Sequence, residues 1–572
     1  MGTRPLRVGN ASGFYGDRFS AVREMLTDGP LDVLTGDYLA ELTMLILGRD
    51  RLKDHRLGYA RTFLAQMEEC LGVALERGVA IVTNAGGLNP AGLADELRAL
   101  ADRLGLHARV AHVEGGELRH RAAELGLGTP VAANAYLGAF GIAECLRAGA
   151  DIVVTGRVTD ASLAVGPAIA HHGWGRGDLD PLAGATVAGH IIECGAQATG
   201  GNYPFFTELQ DDGRDLTRPG FPLAEIHADG SSVITKHDGT GGAVTTGTVT
   251  AQLVYEIAGA RYPGPDVTAR LDTVRLAQEG PDRVRVSGVK GEEPPPDAKV
   301  IANTMTGYAN DVPLVVTGLD TEAKARLAEH QIRAALAGSG PADLRFELGE
   351  RPVIDAFTQQ AAGTPLIVRG RDPDPRAVGR TFTAAVIGTV LSGYPGCYAA
   401  APPGDARPDG LAIEAASIPA ADVPHTAVLP DGTRTPIDPA PRTRTLLPVA
   451  TPALPSPPQR GRFRRVPIGT LFGARSGDKG GDANVGIWAR ADDAWRWLAT
   501  ELTVERLGGL LPETAALPVT RHLLPNLRAV NFVVEGLLGG GAASGHRPDA
   551  QAKGLAEWLR GRYIDVPEVL LP

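Results

Sequence analysis

Residues 79–104 read VAIVTNAGGLNPAGLADELRALADRL, and this stretch decides the fold. An apolar, β-branched run at 79–83 suits a buried strand. It stops at a small polar turn, Asn84-Ala85-Gly86-Gly87. Asn89 then stands at an N-cap position and Pro90 at the first helical one, so a helix is predicted over 90–104. The same strand–turn–helix sentence recurs on either side. Strands are expected at 6–9, 31–34 and 151–155. They end in Gly9-Asn10-Ala11-Ser12-Gly13, Thr35-Gly36-Asp37 and Thr155-Gly156-Arg157-Val158-Thr159-Asp160. Further helices are expected at 18–26, 58–77 (stopped by Gly78) and 133–148, and another strand at 107–113. Such βαβα alternation predicts a mainly parallel sheet covered on both faces. In such sheets ligands sit beyond the carboxyl ends of the strands, so the four turns are expected to meet at one edge and line one site.

The texture changes after residue 206. Strands are expected at 233–236, 243–249, 253–257, 283–289 and 314–317, and a helix at 322–337. This reads as a mixed α+β lobe, or as a continuation of the first sheet. Residues 436–463 hold eight prolines and read as an extended, semi-rigid linker. The expected organisation is a large α/β domain at 1–435, with sub-lobes at 1–206 and 207–435, then the linker. A small α+β domain follows at 464–572, with strands at 466–471 and 529–534 and helices at 492–499, 504–510 and 550–558.

Composition excludes several classes. The 572 residues are 43% hydrophobic and 21% charged, ordinary for a globular chain with a large core. The net charge of −10 argues against nucleic-acid binding, and the short cluster Arg462 to Arg465 reads as a linker end. Four unpaired cysteines, Cys70, Cys145, Cys194 and Cys397, fit neither a zinc ribbon nor a disulfide framework. The first residues lack an apolar signal-like core, and no apolar run approaches the roughly 20 residues that span a bilayer, so cytoplasm is the expected compartment. Lysine is rare, seven against 49 arginines, which makes Lys479 conspicuous in its Gly-rich setting.

Four constellations can carry chemistry. At 83–90, Gly86 and Gly87 permit close backbone approach, and the helix start offers free N–H groups to an anion, with Asn84 beside them. The plain alternative is a tight turn with Asn89 capping its own helix. At 155–162, Arg157 can clamp a carboxylate or phosphate. Asp160 can act as a base, or it can cap the next helix and pair with Arg157. At 190–203, His190 and Glu193 share a helical face at i, i+3. Burial would raise Glu193 into the range of a general acid or base. Cys194 is a candidate nucleophile and Asn202 a candidate ligand contact; a zinc site there lacks a third ligand. At 474–484, Arg475, Ser476, Asp478, Lys479, Asp482 and Asn484 crowd around three glycines. The spacing is not that of a phosphate-binding Walker loop. A polar site supplied by the small domain, or an interface, fits better, against the alternative of an exposed turn with local ion pairs. The glycine run at 539–545 and the turn at 393–396 read as loops.

Taken together, these blocks resemble the acyclic terpene utilisation family, AtuA. Residues 10–17 (NASGFYGD) match its amino-terminal signature. Residues 84–90, 156–160 and 193–195 match its large domain, and residues 474–484 match its carboxy-terminal ferredoxin-like domain. The resemblance implies metabolism of acyl or acyl-CoA-like substrates. The expected function is a metabolic enzyme acting on a branched carboxylated or CoA-linked substrate by general acid/base chemistry of the lyase or hydratase type. Asp160, Glu193, Cys194, Lys479 and Asp478 are the candidate catalytic groups. Asn10, Gly13, Asp37, Asn84, Gly86, Gly87, Asn89, Arg157, Asn202, Arg475, Ser476, Asp482 and Asn484 are the candidate substrate contacts. Two rivals stand beside it: a thioester or amide hydrolase using Cys194 or Ser476, and a non-catalytic acyl-CoA-binding or assembly subunit. No metal and no cofactor beyond a CoA moiety of the substrate is called for; no nucleic-acid or membrane partner is expected, and homo-oligomerisation is.

Overall fold

The computed structural model describes residues 4–414, 418–458, 461–541 and 547–571. An eleven-stranded sheet forms the spine of the large domain. Its centre is parallel. Leu6–Asn10 pairs with Val33–Gly36, which pairs with Ala80–Gly87, then Ile152–Gly156, then Val110–Glu114. These are the strands the repeated turns predicted, and their carboxyl ends lie on one edge. The Pro90–Leu104 helix shows why the local reading succeeds. Asn89 Oδ1 accepts the Gly92 N–H at 3.0 Å, Pro90 opens the helix, and Gly105 ends it at φ +67°. Its apolar stripe, Leu93, Ala94, Leu97, Leu100 and Ala101, is buried against the sheet. Each such leucine stabilises the fold by about 1.5–3 kcal/mol.

Both flanks of the sheet are antiparallel. Pro222–Ile226 adds to Leu6–Asn10, followed by Ser232–Lys236, Arg283–Ser287 and Arg275–Gly280. On the far side Thr426–Val428 and Arg434–Pro436 extend Val110–Glu114. Strands between residues 222 and 287 therefore continue the first sheet, the second of the two readings of the chain after residue 206. Two local expectations also fail. Residues 133–148 are not one helix: Ala132–Ala135 is a strand, and Phe140–Arg147 is the helix. The run at 243–257 is helical over Thr246–Leu253, not two strands. A reciprocal capping box between Thr245 and Thr248 starts that helix, and buried packing of Val249, Ala251 and Leu253 overrides the β propensity of its threonines and valines.

Residues 305–411 form a separate compact unit. Within it, residues 308–317 pair with Gly363–Asp372, and Asp343–Leu348 lies on the other side of that strand. The Thr321–Ala335 helix buries Ala328 and Ile332 into the same core as Leu314, Val316 and Val368.

The proline-rich segment after residue 436 is pinned along its course to the large domain. The Ile437 N–H donates to the His425 carbonyl, the Arg444 N–H donates to the Pro294 carbonyl at 2.8 Å, and Arg261 and Arg176 reach the Leu447 and Asp438 carbonyls. The C-terminal domain is a four-stranded antiparallel sheet in the order Phe472–Lys479, Asp482–Ala489, Ala529–Val534, Val519–Leu524. The Asp492–Glu501, Val504–Leu510 and Leu555–Arg560 helices pack on it around Phe472, Trp497, Phe532 and Leu559. Of the glycine run at 539–545, residues 542–546 lie outside the described residues. Among the described residues no helix is long and apolar enough to cross a membrane.

Candidate active site

The strand ends of the large domain and one hairpin of the C-terminal domain bring together the ionisable groups that are scattered in sequence. From the strand edge come Asp37, Arg157 and Asp160. Asp37 is buried and accepts from Asn84 Nδ2 at 2.6 Å. The buried Arg157 guanidinium donates to Asp160 Oδ1 at 2.7 Å, to the Leu39 carbonyl at 3.2 Å and to the Tyr136 hydroxyl at 3.0 Å, and lies 4.3 Å from the Tyr136 ring centre. At 29% side-chain exposure, Asp160 is more open than Arg157 at 4% or Glu193 at 9%. From the end of the Leu179–Ile192 helix come His190 and Glu193. Their i, i+3 spacing puts His190 Nδ1 2.9 Å from Glu193 Oε1, and Glu193 Oε2 is buried with no hydrogen-bond partner.

The C-terminal domain contributes the Phe472–Lys479/Asp482–Ala489 hairpin. Its motif is therefore not a loop after a strand, as the sequence suggested, but two paired strands joined at Gly480-Gly481. Lys479 Nζ donates to the Glu256 carbonyl at 2.8 Å and lies 5.7 Å from the Tyr262 ring centre, itself 4.9 Å from the His190 ring. Lys553 donates to the Tyr255 hydroxyl and, at 3.1 Å, to Glu256 Oε1; its Nζ is 3.8 Å from Asp478.

Burial sets the direction of most pKa shifts in the cluster. Burial, with Asp160 and Glu256 nearby, holds Glu193 well above the usual carboxylate range. Burial and Asp160 do the same to Asp37. Asp160 is raised by burial, with Arg157 opposing and Glu41 and Glu256 reinforcing. Burial and Glu256 push Asp478 up to about 7. His190 falls to about 4 through burial and the charge of Lys479, so its ring is neutral. Burial and Lys299 lower Lys479. Glu41 behaves in the opposite sense: against its burial, Lys299 and Arg157 hold it below its ordinary value. The result is two carboxyl groups in unlike settings: Asp160 paired with Arg157 and partly open, and Glu193 buried with one oxygen on His190 and the other without a partner.

Two residues here have left-handed backbones although neither is glycine: Asn202 at φ 55° and Glu256 at φ 54°. Such conformations cost about 1–3 kcal/mol each and persist where surroundings impose them. The C-terminal domain imposes both. Arg475 donates to the Asn202 carbonyl at 2.9 Å. Asn484 Oδ1 accepts the Glu256 N–H at 2.7 Å while Lys479 takes its carbonyl.

The structure corrects several residue roles. Asn84, Gly86 and Gly87 do not form an anion cradle. Asn84 is spent on Asp37 and on the Tyr38 N–H; a side chain at Gly86 would strike the Thr155 carbonyl at 2.5 Å, and one at Gly87 the Gly58 carbonyl at 2.8 Å. Asn89 caps its own helix and donates to the Arg56 carbonyl. Both terminal nitrogens of Arg157 are taken up by Asp160, the Leu39 carbonyl and the Tyr136 hydroxyl, so it orients Asp160, while its buried Nε has no partner. Asn10 donates to the Ile192 and Glu193 carbonyls, and Gly13 lets the first turn press against the Cys194 backbone, so both position the third constellation. Burial, Glu256 and Glu193 hold the Cys194 thiol well above its ordinary value, the reverse of an activated nucleophile. The Ser476 hydroxyl is buried between the Ala552 carbonyl and the Ala556 N–H. Asn202 and Asn484 serve the domain contact. Asp482 accepts the Gly536 N–H and stands apart from the cluster.

Sequence reading missed Glu41, Tyr136, Glu256, Tyr262, Lys299 and Lys553. Lysine scarcity was a usable signal: three of the chain's seven lysines, Lys299, Lys479 and Lys553, converge here. Among the described residues no three His, Cys, Asp or Glu side chains stand in a metal-binding arrangement. An open groove of about 460 Å³ in the 305–411 unit, between Leu336 and Leu344, gathers only Arg333 and Asp343 as ionisable lining.

These features define a class: a two-domain α/β protein whose strand-end site is completed by a small α+β domain. The chain belongs to the acyclic terpene utilisation family, AtuA; the family's profile matches residues 6–429, and that of the AtuA ferredoxin-like domain matches residues 466–565. Membership ties the chain to acyclic terpene utilisation in the broad sense. No curated protein and no solved structure matches it.

Proposed function

We propose that the protein is a cytoplasmic metabolic enzyme of the lyase or hydratase type, acting on a branched carboxylated or CoA-linked substrate. The observation that carries this reading is the pair of unlike carboxyl groups. Asp160, paired with Arg157 and the more open of the two, takes a proton from the carbon beside the substrate carbonyl. The C–H electron pair moves toward the carbonyl oxygen, where the Lys479 ammonium faces the developing negative charge. Glu193, whose burial favours its protonated form and whose Oε2 is free of partners, gives its proton to the β-hydroxyl. The electron pair returns from the carbonyl oxygen to form the C=C bond as the C–O bond breaks, so that the hydroxyl leaves as water. His190, neutral, holds Glu193 Oε1 and fixes its orientation. Pushing two carboxyl groups apart in protonation is how one site runs acid and base steps at neutral pH.

The test uses branched 2-enoyl and 3-hydroxyacyl CoA thioesters and the corresponding free acids. Asp160→Asn and Glu193→Gln should each lower kcat by about 10²–10⁴-fold with the fold retained by circular dichroism. Wild-type turnover in both variants removes the assignment. Saturable binding of thioesters without turnover by the wild type favours the binding-subunit reading instead.

A further inference from the structure

We propose that Glu256 is a positioning carboxylate of this site, and that the 475–484 hairpin motif serves to place it. The inference rests on the functional reading above and extends it to a residue in none of the four constellations. Glu256 follows the Thr246–Leu253 helix with a left-handed backbone that glutamate rarely adopts. Both of its backbone polar groups are held by the other domain, the N–H by Asn484 and the carbonyl by Lys479. Its side chain passes so close to Gly477 that a Cβ there would lie 2.7 Å from Glu256 Cγ, so only glycine fits. Three residues of one short motif therefore converge on a single strained residue. Strain of this kind, held from outside, marks function rather than stability.

The side chain ends on Lys553, with Asp478 beside it. Its charge reaches Asp160 from the strand edge and Glu193 and Cys194 from the end of the Leu179–Ile192 helix. Lys479 and His190 feel it from the other side, as do the Tyr255 and Tyr262 hydroxyls. Glu256 thus acts through its neighbours: with burial and Asp160 it favours the protonated form of Glu193, and it holds Lys553 inward.

The experiment uses the full chain carrying Glu256→Gln and, separately, Glu256→Gly. Glu256→Gln should lower kcat at least tenfold with KM changed less than threefold, and move the pH–kcat midpoint set by the carboxyl pair to lower pH, because a negative charge has been removed. Glu256→Gly should lose activity equally while its Tm is unchanged or higher, because glycine accepts the left-handed backbone. Wild-type kcat and an unmoved pH profile in Glu256→Gln overturn the inference. Alkylation of Cys194 by iodoacetamide, followed against pH by mass spectrometry, reads the same effect without any substrate. A downward shift of its midpoint in Glu256→Gln supports the inference even if no thioester is turned over, and an unmoved midpoint overturns it. Failure of the functional reading is thereby distinguishable from failure of this one.

Discussion

The strand-end edge of the large domain and the hairpin of the C-terminal domain are unlike in charge. The first, with the helix ends beside it, gathers Asp37, Glu41, Asp160, Glu193 and Glu256 against Arg157 and Lys299; the second brings Lys479 and Arg475 with Asp478, and Lys553 joins it from the approach to the Leu555–Arg560 helix. Neither is balanced alone. Five carboxyl groups gathered in a partly desolvated space repel one another, and opposite charges that relieve them arrive from the C-terminal domain, far along the chain. The difference teaches that the C-terminal domain is part of the site: its cations and the two left-handed residues it grips, Asn202 and Glu256, are one device.

The comparison can be broken most directly at Lys479. Lys479→Met removes a cation from the acidic edge and the donor facing the substrate oxygen; kcat should fall about 10²–10³-fold, read by steady-state kinetics. If turnover survives, the hairpin does not complete the site. Asn484→Ala is the next largest. It strips an acceptor from the part-buried Glu256 N–H and donors from the buried Val254 carbonyl and Asn531 Oδ1, and should cost about 3 kcal/mol in urea unfolding. A loss within 0.5 kcal/mol, the scatter of ordinary surface changes, would show that the grip is ornamental.

Asp478 sharpens the contrast through pH. Its folded value, about 7, lies above the 3.8 of an ordinary aspartate. The stability it contributes is fully present below pH 4 and is lost as pH rises to 7. Asp478→Asn should therefore gain about 2–4 kcal/mol relative to wild type between pH 4 and pH 8, measured by denaturation at each pH. A difference independent of pH would refute the shift. The smallest effect belongs to the 305–411 unit, where Arg376 pairs with Asp374 in the open. Arg376→Ala should change stability by less than about 0.5 kcal/mol and leave kcat unaltered.

Much of the edge was legible in the chain. The turns at Thr35–Asp37 and Thr155–Asp160 deliver site residues because strand order and chain direction leave a residue after a parallel strand little choice of side. The helical spacing of His190 and Glu193 likewise predicted their contact. Legibility ended where function depends on a partner distant in sequence. Asn84 looks like a ligand group until Asp37 is seen beside it, and Ser476 like a nucleophile until the Leu555–Arg560 helix is found against it. Glu256 was hidden in a stretch whose threonines and valines read as strand.

Local order, then, was written in the polypeptide: the strand–turn–helix repeat, the caps at Asn89 and Gly78, the proline-rich joint and the family motifs all act over a few residues, where backbone sterics and short-range hydrogen bonds dominate. Protonation, strain and division of labour were settled by the folded arrangement. Which way the Glu193 and Cys194 pKa values move depends on charges such as Asp160 and Glu256, far from them in sequence but in the same domain, and the left-handed turn at Glu256 is held by Asn484 and Lys479 of the other domain.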